Sequence, residues 1–183
     1  MTRRSRGREV ALQILYQVEQ NPGVTPEEVR RFIQRRLLND RKLCEFTEAL
    51  IAGVKQHQAQ IDAQISEAAE NWRLDRMAAI DRNILRLGAY EMMFCDEIPP
   101  RVAINEALEL AKRYSTAQSS RFVNGILDRV LQSQAAASRA GENRGRAAAA
   151  RRRPARVRAA PARAPGGTAA TATAIAAPGR GCR

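Results

Sequence analysis

The stretch VAINEALELAKRYS at residues 102–115, followed by RFVNGILDRV at residues 121–130, repeats its apolar side chains three and four positions apart. That spacing lines one face of an α-helix, and the apolar/polar alternation of a half-buried strand is missing. One helix is expected over about residues 101–114, with Val102, Ile104, Leu108, Leu110 and Ala111 mostly inward. A last helix, capped by Ser119 or Ser120, should end near Leu131. The same period continues upstream through WRLDRMAAIDRNILRLGAYEM at residues 72–92. There a helix over roughly residues 76–94 buries Met77, Ile80, Ile84, Leu87 and Met92, with Trp72 as a packing anchor ahead of it. Ile98-Pro99-Pro100 resets the chain between the two, because a residue before proline is pushed out of helical geometry.

Toward the N-terminus, Ala11, Ile14, Leu15 and Val18, joined by Val10, form the stripe of a first helix that Asn21-Pro22-Gly23 ends. A second helix opens on Thr25-Pro26-Glu27-Glu28 and runs to Leu38. Thr25 can cap it, Pro26 suits its first position, and Glu28 stands where a capping box needs a carboxylate. A long third helix over about residues 40–69 carries Leu43, Phe46, Leu50, Val54, Ile61 and Ile65, with Gly53 as its weak interior point. The fold is therefore expected to be all-α, a compact helical bundle of two three-helix-type subdomains at about residues 1–70 and 71–132. Residues 133–183 are mostly Ala, Arg, Pro, Gly and Thr. With almost no large apolar side chains they cannot offset ordering entropy, so a disordered basic tail is expected, with at most a marginal helix near Ala147.

Charge narrows the function class. Of the formal net +12, residues 133–183 supply +10, from eleven Arg against one Glu, so the first 132 residues carry only +2. A nucleic-acid site on the folded part must come from local clustering. Cys44, Cys95 and Cys182 are too few and too scattered for a disulfide framework or a zinc knuckle. No stretch approaches the roughly 18 uninterrupted apolar residues of a membrane span, and Gln13, Gln17 and Glu19 interrupt the basic-then-apolar start that superficially suggests a signal peptide. A soluble cytoplasmic protein is expected. His57 is alone, and there is no G-x-S-x-G, no phosphate-cradling glycine loop and no metal-binding pair. We expect no catalytic residue, metal or cofactor, and no enzyme.

Arg3, Arg4, Arg6 and Arg8 crowd the start of the first helix, where the macrodipole disfavours cations by about 0.3–1 kcal/mol each. Stability does not explain them. A phosphate backbone would, and a solvated basic arm is the competing account. Tyr16, two turns after Glu9, offers a ring for base stacking or packs as a half-buried helix residue. Phe122 beside Arg121 poses the same choice. Asn105 and Asn124 sit inside regular helical patterns, either satisfying backbone groups where helices cross or touching a base edge. Gly125 in a helix costs about 1 kcal/mol relative to Ala, which suggests close approach of a backbone or ligand. Lys112 and Arg113 could meet phosphates or simply occupy a dipole-favoured helix end. Asp75, Asp81 and Glu91 alternate with Arg76, Arg82 and Arg86, a face that intrahelical pairing would explain.

Three stretches, RRSRGRE at residues 3–9, residues 72–92, and the pair quoted first, match in order and spacing one family over about residues 3–131. The chain resembles the NusB family of bacterial transcription antitermination factors. The resemblance implies a helical RNA-binding protein whose arginine-rich start touches RNA and whose positions matching Tyr16 and Phe122 face RNA. It further implies a boxA-type single-stranded element of ribosomal RNA as ligand, the ribosomal protein NusE as partner, and an RNA polymerase antitermination complex as setting. Asp81 and Glu91 are the implied NusE contacts. The expected RNA-binding set is Arg3, Arg4, Arg6, Arg8, Tyr16, Lys112, Arg121, Phe122 and Asn124. Self-association into a homodimer is left open.

Two other readings compete. NusB-like domains also occur fused ahead of ribosomal RNA methyltransferases, so the chain could be an accessory RNA-binding subunit, although no Rossmann-like alternation follows Leu131. Alternatively the basic tail dominates and the protein binds nucleic acid without sequence preference.

Overall fold

The structure is a computed structural model that describes residues 2–70 and 73–151, without the side chains of residues 117 and 137–151. Thr2 begins the chain's first helix, α1 (Arg3–Gln20), by accepting the Ser5 N–H at 3.1 Å. Helix α2 (Pro26–Arg36) opens with the expected capping box: Glu28 N–H donates to Thr25 Oγ1 at 3.3 Å, and Thr25 N–H donates to Glu28 Oε2 at 2.8 Å. These bonds hold the Glu28 carboxyl below its ordinary range. Then follow α3 (Arg41–Gln56), capped by Asp40, and α4 (Gln58–Ala68). A 3-10 turn at Leu74–Arg76 leads into α5 (Ala79–Phe94), α6 (Pro100–Tyr114) and α7 (Ala117–Arg151). No strand occurs among the described residues.

The helix expected over residues 40–69 is two helices. His57 leaves helical geometry at φ −102°, ψ 11°, and its ring stacks on Phe94 with centroids 4.0 Å apart, with Tyr90 joining the group at 6.2 Å. Gly53 is not merely a weak point. A Cβ there would fall 2.1 Å from the Tyr90 ring, so the glycine lets α5 press its tyrosine onto the α3 backbone.

Helices α1 and α3 form the tightest pair of the first half, with α2 against them, and α5, α6 and α7 pack together in the second. Helix α4, grouped with the first half by sequence, lies against α5 and α7 instead. The core runs through both halves: Val10, Leu12, Ile33, Ile61, Ile65, Ile84, Leu85 and Leu127 are all fully enclosed. Val102 departs from expectation, at 43% exposed, because the buried stripe of α6 is Ala103, Ile104, Ala107, Leu110 and Ala111, and Val102 falls to its side. Thr116, rather than Ser119 or Ser120, makes the capping contact of α7, accepting the Ser119 N–H at 3.3 Å. Helix α7 continues past Leu131 to Arg151 through an Ala-rich segment of high helix propensity. Of residues 133–183, read as a disordered tail, 133–151 are helical and the rest lie outside the described residues, as does Trp72.

Charged groups tie the halves together. Glu19 of α1 accepts from Arg82 at 2.8 Å, Asn83 at 2.6 Å and Arg86 at 3.2 Å, while Arg86 also grips Asp62 of α4 through two bonds of 2.7 and 2.8 Å. The arginines of α5 therefore pair between helices, where pairing within α5 was expected. Burial by itself would raise the Glu19 carboxyl, but hydrogen bonds from Arg82 and Asn83 and the charges of Arg82 and Arg86 outweigh it and hold it below its usual range. A depressed carboxyl stabilises the fold above its unfolded pKa, and that contribution is lost as pH falls through the folded value. Glu19→Gln should thus be about 2 kcal/mol less stable at pH 7, from lost charge-assisted bonds. Urea unfolding from neutral to acid pH should show the variant and wild-type curves converging. Parallel curves would mean that Glu19 does not carry this dependence.

Candidate nucleic-acid interface

The first turns of α1 split the four arginines into different jobs. Arg4 and Arg6 are exposed, and the Arg4 guanidinium lies over the Phe46 ring at 5.4 Å from its centroid. Arg3 is exposed but bonded to Asp40, the cap of α3. Arg8 is only 3% exposed: its Nε donates to both oxygens of Glu91 at 2.9 Å, and Glu106 stands 3.5 Å from its Nη1. This corrects two expectations at once. Arg8 is not presented to a phosphate, and Glu91, at 1% exposed, presents nothing to a partner, because each is consumed by the other. Burial pushes the Glu91 carboxyl up, an effect that the Arg8 bonds and charge only partly oppose.

Tyr16 is 41% exposed and lies on the stripe of α1 that carries Glu9 and Gln13. That stripe faces the C-terminal end of α6. The Tyr114 hydroxyl donates to Glu9 and accepts from Gln13 at 3.5 Å, and Arg113 stands 3.6 Å from Glu9. One turn beyond Tyr16, Glu19 holds Arg82. Tyr16 is thus an open ring set between anchored polar pairs.

Phe122 is half-buried and shares a cavity of about 300 Å³ with Arg76, Met77, Asp81, Gln118 and Ser119. Asp81, expected to meet a partner, is 8% exposed; its Oδ2 accepts from Ser119 Oγ at 3.0 Å and, among the described residues, its Oδ1 has no hydrogen-bond partner. The sequence assigned Asp81 and Phe122 to separate surfaces, and the fold places them in one cavity. At 8% exposed, Asp81 offers little surface to a broad partner contact.

Arg121 is exposed, and Lys112 is exposed with a 2.6 Å contact to Glu109. Asn124 donates to Asp128 Oδ2 at 2.9 Å within its own helix, and Asn105 is exposed, so neither occupies a helix crossing in the manner expected. Among the described residues nothing lies within 4 Å of where a Gly125 Cβ would be, so no close approach by them accounts for that glycine.

Three features escaped the sequence reading. Tyr114 and Glu9 meet across 105 positions, Ser119 orients Asp81, and Arg31 and Arg35 add cations one turn apart on α2. Only the last left a signal, the segment RRFIQRR, in which positions four apart share a helix face. Among the described residues no group of three or more His, Cys, Asp or Glu is arranged to hold a metal, and no helix is long and apolar enough to cross a membrane.

Comparison with known proteins places the fold among relatives. The chain is 43% identical over 139 residues to the transcription antitermination protein NusB of Sorangium cellulosum (strain So ce56), covering 76% of this chain and 99% of that protein. Its fold is similar to that of T. maritima NusB, with a TM-score of 0.64, 39% identity, and coverage of 72% of this chain and 92% of the other. A chain in the crystal structure of antitermination factors NusB and NusE in complex with dsRNA shares the fold at a TM-score of 0.65 and 24% identity, covering 73% of this chain and 98% of that one. The family model described as NusB family matches residues 5–132, and the chain belongs to the NusB family.

Proposed function

We propose that this protein is a transcription antitermination factor that binds a boxA-type single-stranded element of ribosomal RNA together with NusE, and acts on RNA polymerase within an antitermination complex. The observation that carries this reading is the exposure of Arg4 and Arg6 at the positive end of the α1 dipole. Cations placed there weaken the helix and so call for an anion from outside. Family membership and the names of its relatives support the same role. In this reading Arg3, Arg4 and Arg6 meet phosphates, with Lys112 and Arg121 adding charge from the second half. Tyr16 and Phe122 stack unpaired bases, the usual way single strands are held. Asn124 serves at the edge of the same face. NusE docks beside Asp81 rather than on it, and Glu91 and Arg8 support the surface from below. The reading includes no chemical step and no cofactor.

The test is binding of boxA-like and scrambled RNA, with and without NusE, across a range of salt. Three phosphate contacts at about 0.7 each give α1 a contribution near −2 to the slope of log affinity against log salt. Arg4→Ala/Arg6→Ala should lower the magnitude of the measured slope by about 1.4 and weaken boxA binding. A double variant with wild-type affinity and slope would reject the arm as the phosphate site. Deleting residues after Gln132 should spare boxA preference, whereas loss of all binding would favour tail-driven, nonspecific association.

A further inference from the structure

Beside the α1 arm, a cleft of about 920 Å³ opens between the start of α1 and the end of α2, lined by Arg3, Arg6, Arg35, Arg36, Leu38 and Asp40 among others. A second groove of about 480 Å³ continues from it along α2 and shares Arg35, with Arg31 and Phe32 beside it. The acidic groups here already have partners within the chain. Asp40 caps α3 and holds Arg3, and Glu28 closes the capping box of α2. Arg6, Arg31 and Arg35, by contrast, have no carboxylate within ion-pair distance among the described residues, Arg31 acting on Glu28 only through longer-range charge, and all three are exposed. Arg31 and Arg35 are one helical turn apart and so project along the same face.

Two further observations set this cleft apart from an ordinary solvated surface. The Arg36 guanidinium packs over the Phe32 ring at 5.9 Å and donates from Nη2 to Gln13 Oε1 at 3.3 Å, while among the described residues its buried Nε has no hydrogen-bond partner. Leu38, at 88% the most exposed large apolar residue described, is held at φ 53° next to Asn39 at φ 55°. Side chains other than glycine rarely adopt that left-handed backbone, and a leucine so exposed contributes nothing to the core. The α2 dipole favours cations in its last turn and so accounts for Arg35 and Arg36. It accounts for neither Arg31 nor Leu38.

We propose that this double cleft is a second track for RNA, receiving the sugar-phosphate backbone of nucleotides that flank the element held by the α1, α6 and α7 surface. It rests on the RNA-binding reading above and extends it. Arg6 joins the two surfaces, since it lies two positions from Arg4 and lines the cleft itself. Arg35 and then Arg31 take successive phosphates along α2, and Leu38 gives an apolar rest for a base or ribose at the mouth. A strand of repeating negative charge suits an open groove with cations spaced along one wall better than does a single acidic side chain.

The test uses the full chain and the variant Arg31→Gln/Arg35→Gln, whose altered residues are exposed, with thermal melting as the check on folding. Affinity is measured for a short RNA spanning the boxA-like element alone and for the same RNA extended with oligouridine at either end. Wild type should bind one extended RNA more tightly and with a steeper salt slope than the short one. The variant should lower that slope by about 1.4, two contacts at roughly 0.7 each, and leave the short RNA unchanged. Equal losses on both RNAs, or no loss on either, would overturn the second track. If polyglutamate peptide binds wild type but not the variant while RNA binding is unaltered, the cleft belongs to an acidic protein and the proposal is again overturned. Failure of wild type to bind the short RNA would instead sink the antitermination reading; binding of the short RNA with no gain from extension would sink this inference alone.

Discussion

Arg8→Met should destabilise the fold by about 3–5 kcal/mol at neutral pH while leaving the RNA affinity of the folded protein nearly unchanged. The reason lies in what the substitution leaves behind. Glu91 is 1% exposed and holds Arg8 through contacts of 2.9 Å, with Glu106 close by. Without the guanidinium, a carboxylate remains in the interior beside a second acid, and its desolvation has no compensation. Its easiest escape is to take up a proton. The folded pKa of Glu91, already raised by burial, would rise further in the variant. A group with a raised folded pKa contributes stability that is fully present below its unfolded pKa and lost as pH rises through the folded value. The deficit of Arg8→Met should therefore shrink in mild acid and be full at neutral pH. Chemical denaturation at several pH values, with RNA titration below the melting range, measures both parts. A small stability loss accompanied by a tenfold drop in RNA affinity would return Arg8 to the phosphate-binding set.

Gly53→Ala should cost roughly 2–3 kcal/mol, although alanine is the better helix former by about 1 kcal/mol. The added methyl would stand 2.1 Å from Tyr90 Cζ and Oη and 2.5 Å from Cε2, too close for any real contact. The ring has little room to turn aside, because it stacks with Phe94 at 5.6 Å, and Phe94 stacks with His57. Relief must come from moving α5 against α3. Thermal melts of Gly53→Ala, Tyr90→Leu and the double variant would show the interaction as a double-mutant cycle, with the double variant more stable than the sum of the singles predicts. Additive losses would mean that the close approach of Tyr90 is not what reserves the position for glycine.

Much of the fold was legible because it rests on neighbours in sequence. The α1 stripe of Val10, Ala11, Ile14 and Leu15, the Thr25 capping box and the proline reset before α6 are written within a few residues of where they act. The break at His57 was not legible, since what ends α3 there is accompanied by stacking on Phe94, 37 positions away. The same limit governed the site. Arg8 and Arg6 look alike in RRSRGRE, and only the arrival of Glu91 from α5 separates a buried pairing residue from an exposed cation. Asp81 looked like one more charge on a mixed face until Ser119, brought by α7, enclosed it beside Phe122. Spacing reports which face of a helix is apolar. It says little about which charged residue will be covered by a helix from the other half.

The placement of α4 bears on how the chain can be divided. It follows α3 directly in sequence yet spends Ile61 and Ile65 on the far half, where Arg86 also clasps its Asp62. A genetic cut after residue 70, the natural place to separate the halves on paper, would strand those isoleucines in water on one fragment and uncover the floor of α5 and α7 on the other. The molecule is latched by its own fourth helix, so its two lobes fold and unfold as one piece.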